Sequence, residues 1–119
     1  MFTFPGLPSL EQRVWVSATV IRRGDGIAVQ SVATNRGDDP IEVKISCTGV
    51  PGISGVDFDW PEDVQVCQGS ARVALAPQDS IVRGITTPRV ISRPGTYTLQ
   101  VRHFIDPAFA APIEVTVIR

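Results

Sequence analysis

Ten glycines and ten prolines punctuate this 119-residue chain so evenly that the longest stretch free of both runs only from Ser9 to Arg23. A proline inside a helix removes a hydrogen bond and clashes with the preceding turn, and an internal glycine costs about 1 kcal/mol relative to alanine. Such spacing leaves no room for a long helix, but it suits short strands, and the apolar residues recur with the matching period of two. Val14, Val16, Ala18 and Val20 share one face, with Arg13, Ser17 and Thr19 on the other. Ile41, Val43, Ile45 and Cys47 alternate with Glu42, Lys44 and Ser46. Ala71, Val73 and Leu75 share a face, Tyr97, Leu99 and Val101 oppose Thr98, Gln100 and Arg102, and Ile113, Val115 and Val117 oppose Glu114 and Thr116. With the runs at 27–34, 64–67 and 81–86, the pattern predicts seven to eight short strands. Each has one dry and one wet face, as in an all-β antiparallel sandwich.

Length and composition bound the rest. A chain of 119 residues makes one domain and buries a core without metal staples. An apolar share of 43 % and a net charge of −1 exclude a disordered chain and give no electrostatic case for nucleic acid or an anionic membrane. No apolar run approaches a membrane span. The opening residues, MFTFPGLPSL, lack the basic and long apolar regions of a signal peptide. The expectation is a cytoplasmic or virion-associated protein, or an exported one whose signal lies outside this sequence.

Arg-Gly-Asp occurs twice, at Arg23-Gly24-Asp25 and Arg36-Gly37-Asp38, on either side of the strand IAVQSVAT. Eight extended residues span about 26 Å, so the two triplets sit at opposite ends of that strand and form no single site in a monomer. Gly24, Gly26, Asn35, Gly37 and Pro40 are the residues tight reversals require, which favours turns over receptor adhesion.

Three segments together carry a family resemblance: VATNRGDDPIEVKIS, then LAPQDS, then RPGTYTLQV followed by IEVTV. Over residues 12–118 the chain resembles bacterial immunoglobulin-like modules of the CARDB and α-galactosidase-associated type. Those modules have an Asn-x-Gly turn after an early strand, a Leu-x-Pro-Gly-x-Ser step before a middle one, and Pro-Gly-x-Tyr opening the penultimate one. Gln78 stands where the middle motif has glycine. The resemblance implies an immunoglobulin-like sandwich, with Tyr97 placed to send its hydroxyl back to main chain as a tyrosine corner. Position 99 is leucine rather than the cysteine of antibody-type domains. More distantly, the Gly95-Thr96-Tyr97 step and the long central loop resemble intracellular proteinase inhibitors of bacilli.

Catalytic constellations are scarce. His103 is the single histidine, and the GISG and GDGIAV segments lack the spacing of a nucleophile elbow or a dinucleotide loop, so the expectation is no enzyme and no cofactor. Cys47 and Cys67 are too few for a structural zinc site. They either pack as free thiols or form a disulfide worth about 3 kcal/mol. In DFDWPED, Asp57, Asp59, Glu62 and Asp63 supply four carboxylates that could hold a calcium ion, but without the Gly-bearing loop of fixed spacing that calcium sites use. An acidic edge with Phe58 and Trp60 turned toward the core is the simpler reading.

Two apolar tips remain. Residues 1–11 form a proline-broken arm carrying Phe2, Phe4, Leu7 and Leu10 ahead of the sandwich at 12–119, and FIDPAFAAP places Ile105 and Phe109 on the last hairpin. Apolar clusters at tips mark contact surfaces. The leading expectation is a non-enzymatic structural or assembly module, oligomeric or part of a larger particle, filament or surface complex. Its contacts would run through Phe2, Phe4, Leu7, Ile105 and Phe109. The alternative is a proteinase inhibitor presenting the 48–63 loop, braced by Cys47 and Cys67.

Overall fold

The computed structural model describes residues 9–46, 50–61, 71–105 and 110–119, and the backbone alone at 2–4 and 106. Among these residues all regular structure is β, with no helix. The strands are β1 (Phe2–Phe4), β2 (Leu10–Val16), β3 (Val20–Arg22), β4 (Ala28–Asn35), β5 (Ile41–Ile45), β6 (Gly52–Ser54), β7 (Ala71–Leu75), β8 (Ser80–Thr86), β9 (Gly95–Arg102), β10 (Ile105–Asp106) and β11 (Ala110–Ile118).

They pair into three ladders, β1-β2-β4-β8, β3-β11-β9-β6 and β10-β5-β7. All pairings are antiparallel except β3 with β11. The first sheet forms one layer, and the other two share the layer opposite. Val14 and Val29 of the first sheet bury against Leu99, Val101, Ile113, Val115 and Val117 of the second. Further along the same strands, Leu10 and Ala33 bury against Val43, Ile45 and Leu75 of the third, together with Phe104 and Ile105. Each such aliphatic side chain contributes about 1.5–3 kcal/mol when withdrawn from water, so the alternating pattern is what holds the layers together.

More strands are present than the alternation predicts: β1 and β6 lie outside the alternating runs, and β3 and β10 arise where the chain changes sheet. The run from Val14 to Val20 stops at Val16. Ser17 then bonds to Ala28 through both its amide and its hydroxyl, each at 2.9 Å, and the chain crosses into the second sheet as β3. The crossing shifts the phase by one residue, so Ile21 is buried and Val20 is exposed. Likewise β9 ends at Arg102 and resumes in the third sheet at Ile105.

Phe2–Phe4 pair antiparallel with β2, Phe2 opposite Val14, and Leu10 is a core residue of β2 itself. Residues 2–4 therefore lie along the chain's own first sheet. Leu7, Phe109, Cys47, Cys67, Glu62, Asp63 and the run at 64–67 lie outside the described residues, as do the side chains of Phe2 and Phe4.

Candidate functional site

Both Arg-Gly-Asp triplets are turns. At the first, Gly24 has a φ of +98°, Asp25 N donates to the Arg22 carbonyl at 3.0 Å, and Gly24 N donates to the Val90 carbonyl at 3.0 Å. At the second, Asn35 Oδ1 accepts from Gly37 N at 2.9 Å, and Asn35 Nδ2 donates to the carbonyls of Asp39 and Leu75 at 2.8 and 3.0 Å. The Arg36 guanidinium is held by Glu11 at 3.2 Å and Gln78 at 3.3 Å, back against the sheet. That bond from Arg36, aided by neighbouring Arg13, holds the Glu11 carboxyl below the usual carboxylate range.

The remaining sequence candidates scatter. Tyr97 opens β9, half-buried, and its hydroxyl donates to the Arg93 carbonyl four residues upstream at 2.5 Å. Asp59 is engaged by Arg89, whose Nη2 and Nε donate to Oδ2 at 2.6 and 3.1 Å, while Asp57 is exposed. No cluster of three metal-ligating side chains occurs among the described residues. Only Phe58 of the aromatic pair plugs the core; Trp60 meets it edge-on at 5.9 Å and stays 43 % exposed. Ile105 is buried in its own core at 4 % exposure, so it is not a surface anchor. Within the 48–63 stretch, Gly52–Ser54 pair with β9, and Val56 and Phe58 are buried.

His103 sits at the sheet crossing after β9, 1 % exposed, its ring 4.6 Å from that of Phe104. Burial pushes its imidazole down to about 4. A shallow groove of about 430 Å³ opens on the outer face of the second sheet between Gly52, Ile53, Ser54, Gln100, Arg102 and Ala110. Among its described lining residues Arg102 is the one charged group, and none is a base that could activate a nucleophile.

One surface escapes the alternation rules. Besides Trp15 and Val82 on the first sheet, Val20, Trp60, Ile91 and Ile118 are exposed, Val20 by 58 %, in β3, at the end of β11 and in the segments beside them. Main-chain bonds link the segments that carry them: Arg23 N donates to the Ile118 carbonyl at 2.7 Å, Gly24 N to the Val90 carbonyl at 3.0 Å, and Ile91 N to the Asp57 carbonyl at 2.9 Å. Arg22, Arg23 and Arg93 surround them, exposed and without an ion pair among the described residues. Val20 was hidden from sequence reading because the run from Val14 looked continuous; Ser17-Ala18-Thr19 was the one sign of a break.

No protein-family model matches the chain, and no curated protein does. Solved structures do match. A β-glucosidase from Erythrobacter marinus has a TM-score of 0.54 at 14 % identity, over 92 % of this chain and 15 % of its own. A mutant β-glucosidase from Listeria innocua in complex with laminaribiose gives 0.51 at 13 % identity, over 92 % of this chain and 16 % of its own. The Listeria innocua enzyme in complex with gluconolactone gives 0.50 at 15 % identity, over 91 % and 16 %. At such identities the likeness is one of fold. The chain spans only 15–16 % of the length of these enzymes. The expectation that the chain is no enzyme is corrected by these neighbours, which are all β-glucosidases.

Proposed function

We propose that the chain is an immunoglobulin-like β-sandwich module, similar to the CARDB and α-galactosidase-associated group, that serves as a contact-making part of a larger glycoside hydrolase. The observation that carries this reading is the proportion of the match: nearly all of this chain, 91–92 %, against 15–16 % of each β-glucosidase. A fold that forms one portion of such enzymes is suited to bracing or extending the rest.

The end bearing Val20, Trp60, Ile91 and Ile118 is the contact face. Large apolar side chains gain most from losing water at an interface, and Arg22, Arg23 and Arg93 select an acidic rim on the partner. The test is capture of the tagged chain from its native cells, followed by assay of the captured fraction on an aryl β-glucoside. Hydrolysis is expected in that fraction, and reduced at least about tenfold when Val20 and Ile118 are both replaced by aspartate. An inactive captured fraction, or one whose activity the double replacement leaves unchanged, overturns the proposal.

A further inference from the structure

Two buried polar atoms on the first sheet meet no hydrogen-bond partner among the described residues: Gln12 Oε1 and Ser31 Oγ. Their side chains are 1 % and 0 % exposed. In the β2–β4 ladder Gln12 is opposite Ala33 and Val14 is opposite Ser31, so Gln12 and Ser31 are diagonal neighbours on the inward face. Diagonal partners stand about 7–8 Å apart at Cα, a gap that a glutamine side chain and one small molecule close.

Their place in the core is what gives the pair meaning. Leu10 and Ala33 belong to one apolar cluster, Val14 and Val29 to the other, and Gln12 and Ser31 lie between them. On the facing layer the same level is where β9 ends and the chain crosses to β10 through His103 and Phe104. The two cores thus meet at a polar seam, beneath the break between two sheets. A buried acceptor or hydroxyl left dry costs about 1–3 kcal/mol, and native proteins avoid that cost with ordered water.

We propose that this seam is an internal water site, in which a bound water donates to Gln12 Oε1 and hydrogen-bonds Ser31 Oγ, joining the two halves of the core. The central inward positions of β4 are the small residues Ser31 and Ala33, where a larger aliphatic would compete with such a guest for space.

A high-resolution crystal structure of the wild-type chain, paired with thermal unfolding of Ser31→Ala and Gln12→Leu, tests the site. Water density within hydrogen-bonding distance of both atoms is expected, and each substitution should lower the melting temperature by roughly 3–6 °C. A direct bond between Gln12 and Ser31 overturns the proposal. So does a dry seam in which Ser31→Ala leaves the melting temperature unchanged or raises it.

Discussion

A methyl group added at Gly55 would run into the Thr98 carbonyl, and the residue's φ of +97° is one that other side chains rarely adopt. Glycine is needed there because the loop leaving β6 lies directly against the β9 backbone. Gly55→Ala is expected to cost about 2–4 kcal/mol, the sum of the strained dihedral and the overpacking, read as a lower urea midpoint at unchanged slope. Gln78 is the opposite case. It holds a φ of 70°, with its main-chain amide bonded to the Asn35 carbonyl at 2.7 Å, at the position where the Leu-x-Pro-Gly-x-Ser step has glycine. Gln78→Gly relieves that strain and is expected to stabilise the chain by about 0.5–1 kcal/mol in the same measurement. The motif departure was legible in the sequence; its strain was not, because a dihedral angle belongs to the turn and not to the residue.

The strands differ in how plainly the sequence announced them. β5 and β11 alternate along their whole length, and their buried positions are the apolar ones anticipated. β2 and β3 were legible only in part, since periodicity records which face is dry but not when a chain leaves one ladder for another. Ile105 misled for a related reason. It looked exposed on a hairpin, whereas β10 pairs with β5 and turns it inward. The Tyr97 corner ties the start of β9 to the segment before it, and it gives an element-scale test. Tyr97→Phe keeps the ring and removes one hydrogen bond, so a loss of about 1 kcal/mol in chemical unfolding is expected, with an unchanged far-ultraviolet spectrum.

Across the whole molecule, the buried histidine links stability to pH. Folding lowers the His103 imidazole from 6.5 to about 4, so between those values the unfolded chain binds the proton that the folded one refuses. Its contribution is therefore fully present above pH 6.5 and is lost as the pH falls toward 4, levelling off below. Over that window the loss amounts to about 3 kcal/mol. Urea titrations at pH 7 and pH 4.5 should differ by most of this amount, and His103→Gln should flatten the difference. A profile equally steep in the variant would assign the acid sensitivity to carboxylates.

The parallel pairing of β3 with β11 also governs how the molecule bears tension. Thr116, Val117 and Ile118 face Val20, Ile21 and Arg22 in register. A pull entering ahead of Val20 and leaving through Arg119 slides the two strands past one another along their length, stressing all three rungs at once instead of peeling them singly. Pulled along that axis, this end of the molecule behaves as a shear clamp.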